Sequence, residues 1–305
     1  MRRIHGIVVS ACALACFVAR PTTAQQLGYK LLGSAGIDAG VQSPPGLFVL
    51  NRAIHFGSDE VRDRHGNVVP ISGLNIDAFG NSLGAAYTLQ TRHRQYLTFA
   101  LGLPVARLRV NSDRPEASIN GQGFSDMFFQ PLKLGWRERQ FDVVTAYMIY
   151  VPTGKFEPRK GSVGRGYWTH QFSLGGAAYF DSTRTSRASA LISYDLNTRK
   201  RDIDIRKGNS VQVQGGAGIG VAKVVVVGIA GYAFWQTTRD RGADIPAALR
   251  HEWARTYALG PEIDLTIPRL RMRADFRIER EFGVRSRPKG QVIALGVSYA
   301  AWKPH

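Results

Sequence analysis

The segment 270–281, LRMRADFRIERE, alternates without a break: Leu270, Met272, Ala274, Phe276 and Ile278 are apolar, and Arg271, Arg273, Asp275, Arg277 and Glu279 between them are charged. Successive side chains of an extended chain point to opposite faces, so a strand here is apolar on one face and charged on the other. A helix of about 3.6 residues per turn would scatter the charges around its whole circumference, and the helical reading fails. Two settings accept such a strand. A soluble sandwich leaves the charges in bulk water, whereas a membrane barrel puts them in a wet lumen and turns the apolar face to lipid.

The amino terminus bears on the choice. In MRRIHGIVVSACALACFVARPTTAQQ, Arg2 and Arg3 precede an apolar run from Ile7 to Ala19, and small residues follow before Gln25. This is the layout of a secretory signal peptide, residues 1–24, with cleavage expected after Ala24. The run is too short to span a bilayer as a helix, and no other candidate follows it. Both cysteines, Cys12 and Cys16, lie in the part removed, which excludes disulfides and cysteine metal sites from the mature chain. A lipoprotein would carry its lipid on Cys12 or Cys16, but the apolar run continues past both. Without Arg2, Arg3 and Arg20 the 40 basic residues become 37, against 23 acidic. An exported chain with basic residues spread along its length and no nucleic-acid motif meets anionic lipid headgroups, lipopolysaccharide or acidic solutes, not nucleic acid. The mean hydropathy of −0.16 suits a barrel in which only every second strand residue meets lipid.

About twelve segments have strand character: 46–56, 74–90, 96–109, 124–136, 141–152, 166–180, 186–197, 210–222, 224–236, 253–267, 270–281 and 291–302. Their connections alternate in length. Long polar GSDEVRDRHGNVVPISG is followed by short TRHRQ, long NSDRPEASINGQG by short RERQ, long GKFEPRKGSVGR by DSTRTS, long TRKRDIDIRKGN by AK, and long TTRDRGADIPAALRHE by PR, before GVRSRPKG. Long and short connections therefore segregate to opposite ends of the strands. A sandwich has no reason to sort them so, and a propeller would need twice as many strands in the same length. The fold expected is all-β: a transmembrane antiparallel up-and-down β-barrel over 46–302, with short periplasmic turns and long extracellular loops. Residues 25–45, polar and glycine-bearing, precede it as a periplasmic tail or a small lumenal plug.

The chain also resembles a known family on SPPGLFVLN (43–51), SDEVRDRHGN (58–67), LGW (134–136), VPTGKFEP (151–158), GYW (166–168), SYDLNTRKRDIDIRKGN (193–209) and EREFGVRSRPKG (279–290), taken in order. The family is the outer-membrane "transporter" group named for the meta-pathway of phenol degradation. The resemblance implies an outer-membrane barrel, built by the barrel assembly machinery, with a role in uptake of aromatic or other hydrophobic compounds. One departure lies at the carboxyl end, where Trp302 is followed by Lys303, Pro304 and His305 instead of closing the strand.

Catalysis finds little support. His170 and Ser173 are three residues apart in one strand, hence on opposite faces, and cannot act as base and nucleophile together. The other histidines lack ligand spacing, no cofactor is implied, and Arg62 and Arg64 oppose a calcium site at Asp59, Glu60, Asp63 and Asn67. GGAGIG, 215–220, carries the alternation of a strand and not the context of a phosphate loop. The residues expected to line the lumen are Arg271, Arg273, Asp275, Arg277, Glu279, Glu262, Asp264, Gln212 and Gln214. A two-residue turn at Pro268 and Arg269 would place Asp264 opposite Arg273 and Glu262 opposite Asp275, as a ladder of ion pairs. Three functions remain, in order: a channel for small aromatic or acidic solutes, a surface barrel whose basic outer loops grip lipopolysaccharide, and an outer-membrane lipid enzyme.

Overall fold

The computed structural model describes residues 32–91, 94–157, 161–245, 249 and 251–304; the expected signal peptide lies outside them. Thirteen strands follow in chain order: β1 Gly46–Arg62, β2 Asn75–Gln90, β3 Gln95–Asp113, β4 Glu116–Phe124, β5 Phe128–Arg137, β6 Phe141–Tyr150, β7 Thr169–Tyr179, β8 Arg187–Asn197, β9 Ser210–Ala222, β10 Val225–Gln236, β11 Arg255–Ile267, β12 Met272–Arg285 and β13 Arg287–Trp302. Twelve of them close an antiparallel ring, each paired to its neighbour and β13 paired back to β1. Closure is what a membrane demands: with no water to satisfy them, all strand N–H and C=O groups must pair with a neighbouring strand.

The additional strand is β4. The segment NSDRPEASINGQG, expected to be loop, instead extends β3 and returns along it, so that β3 serves two partners in succession. Its first part, Gln95–Gly102, pairs with β5. Its last part, Val105–Asp113, pairs with β4. Because β5 and β6 have ten residues each, the chain beyond Tyr150 continues without strand: Val151 donates its N–H to the Met127 carbonyl at 2.9 Å and Lys155 to that of Phe124 at 3.3 Å. β12 and β13 also run further than expected: GVRSRPKG is strand except for Ser286, which turns the chain at a φ of 53°.

The sorting of connections is as expected except between β12 and β13, which the single residue Ser286 joins, and around β4, where the expected loop is strand. β2 passes to β3, β5 to β6, β7 to β8, β9 to β10 and β11 to β12 at the end that carries Gly46 and Trp302, the turn end; the connections between β1 and β2, β6 and β7, β8 and β9, and β10 and β11 are longer and lie at the opposite, loop end. The outer face is apolar and uncovered: Leu83, Leu174, Ile219 and Leu259 are each more than half exposed. In water that surface would be prohibitive, and in lipid it is the solvent-matched face. Tyr87 and Trp302 pack at 6.2 Å at the turn end. Trp235, Tyr257 and Phe282, successive contacts of 5.7 Å, form the corresponding belt at the loop end.

Candidate functional site

The inner face carries the polar half of each alternation. In β12 the chain alternates as read from the sequence: Phe276 is outward and 41% exposed, while Arg277 and Glu279 are wholly buried. The register differs from the expected one. Glu262 lies opposite Arg277, Asp264 opposite Asp275, and Thr266 opposite Arg273. The cause is the turn, which takes four residues and not two: Pro268–Leu270 form one 3-10 turn, and Arg271 sits in the left-handed region at φ 54°, its N–H on the Pro268 carbonyl. Arg271 is thus an exposed turn residue and not part of the inner wall. Asp264 still reaches Arg273, diagonally, at 2.7 Å.

What these residues surround is the chain before the first strand. Residues 32–45 run through the barrel interior, held by backbone and side-chain bonds to seven strands. Ala35 donates its N–H to Gln214 Oε1 (3.1 Å), Ile37 to Glu262 Oε2 (3.0 Å) and Gln42 to Asp142 Oδ2 (3.0 Å). Ser189 donates to the Ile37 carbonyl at 2.5 Å, Lys133 to that of Val41 at 3.1 Å, and Arg277 to that of Gly33. Gln42 Nε2 also lies 3.5 Å from Thr98 Oγ1. Asp38 is bound by Arg187 Nε at 2.7 Å and by Arg273. Both arginines also hold Asp264, at 2.5 and 2.7 Å. Gln212, two residues along β9 on the same face, donates its amide to Gln214 Oε1 at 3.4 Å. Asp275 is clamped by Arg52 at 2.8 and 2.9 Å and approached by Arg277 at 3.3 Å. Arg277 is further placed 3.5 Å from Glu279 and 3.9 Å from Glu262.

Small wall residues make the passage of this segment possible. A Cβ on Gly228 would lie 2.7 Å from the Ile37 Cδ1, and one on Gly40 only 2.0 Å from the Gly176 carbonyl oxygen. Two backbones approach there more closely than any side chain allows. The sequence reading missed Arg52, Asp142, Arg187 and Asp38 as parts of this network. Arg187 was within reach, because Arg187, Ser189, Ser193, Asp195 and Asn197 share the inward face of β8; Asp38 was not, since no periodicity marks its segment.

Toward the loop end the interior becomes apolar. Leu32, Ile54, Tyr232, Phe234, Val292 and Ala294 pack as one cluster, and beside it opens a cavity of about 500 Å3. Ile54, Phe56, Phe128, Met148 and Phe156 line it, and Leu32 and Ser34 of the N-terminal segment also border it. Its polar border is formed by Asp126 with Arg165 (3.1 Å) and Glu281 with Arg287 (3.4 Å). Arg165 lies over the Tyr150 ring at 4.5 Å, and the Lys200 ammonium over Phe156 at 5.3 Å. Burial pushes Lys200 down to about 8, helped by the nearby Lys207 charge and opposed by Asp240 and Asp126.

The residues tested for catalysis are placed as their spacing requires. His170 faces outward, with Nδ1 2.7 Å from the Tyr147 hydroxyl, while Ser173 meets Ser193 at 3.0 Å on the inner face. At the end of β1 Glu60 is paired with Arg62 and Lys289, and in the connection that follows Asp63 Oδ1 accepts the N–H groups of His65 and Asn67 at 2.8 Å. TRKRDIDIRKGN is folded inward, with Ile205 buried and Lys207 on Asp240 at 2.5 Å.

A closed twelve-stranded barrel with an apolar outer belt and an occupied, charged lumen defines the class: an outer-membrane β-barrel. Residues 58–296 match the family model described as "Putative MetA-pathway of phenol degradation", and the chain belongs to that family. Its fold is similar to that of the COG4313 outer membrane channel from Pseudomonas putida F1, with a TM-score of 0.74 at 13% identity, covering 86% of this chain and 97% of that one. The translocator domain of the autotransporter NalP from Neisseria meningitidis is similar at a TM-score of 0.51 and 12% identity, over 95% and 97% of the two chains. No curated protein matches the sequence.

Proposed function

We propose that the barrel admits small hydrophobic or aromatic compounds, including weak acids, into the cavity beside the Leu32 cluster, and that residues 32–45 act as a plug against ions and water. The observation that carries this reading is the division of the lumen. An apolar cavity of about 500 Å3 adjoins a segment tied to the wall by charges and hydrogen bonds. Cavities of roughly 300–1,000 Å3 with apolar walls and a few polar groups are what small ligands occupy. Five basic residues line it against three acidic ones, Asp126, Asp275 and Glu281, so an acidic solute fits better than a basic one. In this reading the protein supplies a path for the solute, and the dyad weighed from the sequence is split, His170 outward and Ser173 inward. Export through a cleaved leader at residues 1–24 and insertion by the barrel assembly machinery belong to the same reading.

The test is solute uptake by whole cells together with direct binding to the purified barrel. A strain lacking the protein takes up 4-phenylbutanol or 4-phenylbutyrate more slowly than one carrying it. The variant Ala78→Trp, which fills the cavity from β2, folds but restores neither uptake nor binding. Equal uptake with and without the protein, and no binding of either probe, would overturn the reading.

A further inference from the structure

A second concavity, of about 430 Å3, lies at the loop end where β10, β11 and β12 rise above the aromatic belt. It is lined by Arg64, His65, His251, Trp253, Arg255 and Arg285, with Trp235 among its walls. Its charge is one-sided: no acidic residue is among its described lining residues. The contrast with the lumen is chemical. Inside, arginine after arginine is matched to carboxylates, as Arg52 is to Asp275 and Arg187 to Asp264. At this rim, among the described residues, Arg64 bonds to the neighbouring His65 at 3.0 Å and Arg255 to the Gly283 carbonyl at 3.3 Å, with no carboxylate in ion-pair reach of Arg64, Arg255 or Arg285. Three guanidinium groups without a carboxylate partner among the described residues thus line one concavity.

The fold assembles the cluster from three separate connections. The tip of the β1–β2 connection leans on the β12–β13 turn, Ser286 donating its N–H to the Asp63 carbonyl at 3.1 Å, which carries Arg64 and His65 over Arg285. Arg255 and Arg285 are register partners at the loop end of β11 and β12. His251 and Trp253 come from the chain entering β11. Directly below, Trp235, Tyr257 and Phe282 form the belt, with the Trp235 indole on the Tyr257 hydroxyl at 3.2 Å. Phe282 and Leu259, both more than half exposed, continue the lipid face downward. Tyrosine and tryptophan mark the headgroup level of a bilayer. Guanidinium groups, whose planar fork matches a phosphate with paired donors, are the side chains suited to a phosphorylated headgroup at that height.

We propose that this rim concavity binds the phosphorylated saccharide headgroup of an outer-leaflet glycolipid, with Arg255 and Arg285 on the phosphate and Trp253 beside the sugar. The acyl chains would follow the face of Phe282 and Leu259. The site is separate from the solute cavity, and its occupant is a permanent neighbour of the barrel and not cargo.

The experiment uses the full mature barrel in detergent, titrated with bisphosphorylated lipid A, with its dephosphorylated counterpart and with inorganic phosphate, read by native mass spectrometry and tryptophan fluorescence. The phosphorylated lipid binds best, and Arg255→Gln with Arg285→Gln weakens it about tenfold or more, as expected for two charge-assisted contacts. The same double variant keeps the heat-modifiable mobility of a folded barrel and wild-type binding of 4-phenylbutanol. Equal binding of the two lipids, or an unchanged affinity in the double variant, overturns the proposal. Inorganic phosphate binding as tightly as the lipid overturns the lipid as occupant.

Discussion

Removing Asp38 should unlatch the N-terminal segment without unfolding the barrel. In Asp38→Ala, Arg187 and Arg273 lose the carboxylate between them and must share Asp264, which they already approach at 2.5 and 2.7 Å. Breaking a buried ion pair costs about 3–5 kcal/mol. The Asp38 and Arg273 side chains are each 33% exposed, and screening reduces the figure to about 2 kcal/mol. That is about a thirtyfold change in the ratio of docked to released segment, so a segment released about 1% of the time becomes released about a quarter of the time. Single-channel recording in planar bilayers reads this directly: wild type is mostly closed to ions, and Asp38→Ala opens often and for longer. Gly40→Ala should act in the same direction by sterics, because its Cβ would lie 2.0 Å from the Gly176 carbonyl oxygen. If both variants fold, as shown by heat-modifiable mobility, and both conduct like wild type, the segment is not the closure of this pore.

Further outcomes follow from the faces and the charges. Phe276→Lys puts an ammonium on the lipid face and should destabilise the refolded barrel by about 2–4 kcal/mol in urea titration, whereas Arg273→Gln should refold and raise ion conductance by loosening Asp38. Binding of 4-phenylbutyrate should weaken as the pH rises through about 8, where Lys200 loses the proton that burial already disfavours. The neutral 4-phenylbutanol should show no such dependence, and Lys200→Arg should bind the acid evenly across that range. The sign for stability is opposite: the cost of burying a charged Lys200 is full below about 8 and fades as the pH rises toward its value in the unfolded chain.

The alternation of residues 270–281 disclosed strand type, face and class together, because a period of two with charges on one side has few physical homes. The sorted connections disclosed the ring and which ends share a side. Two features escaped for separate reasons. The β11–β12 register depended on whether Leu270 and Arg271 belonged to strand or turn, and the alternation runs unbroken through both; Arg271 adopts φ 54°, a conformation that nothing in its side chain announces. β4 escaped because Ala117, Ile119 and Gly121 alternate too weakly with polar neighbours to stand out from a loop. Of the site, the ladder on β11 and β12 was legible as charge. Its occupant was not, since Ile37, Asp38 and Gln42 acquire their meaning only from a wall far away in sequence.

The central claim is that alternate residues of β12 face lipid and lumen. Beyond residue 24 the chain contains no cysteine, so single cysteines carrying a spin label can be placed in turn from 272 to 281 in the refolded barrel. The account predicts oxygen accessibility that peaks at 272, 274, 276, 278 and 280 and falls at 273, 275, 277, 279 and 281, a period of two. Peaks at the odd positions, or a period near four, would contradict it.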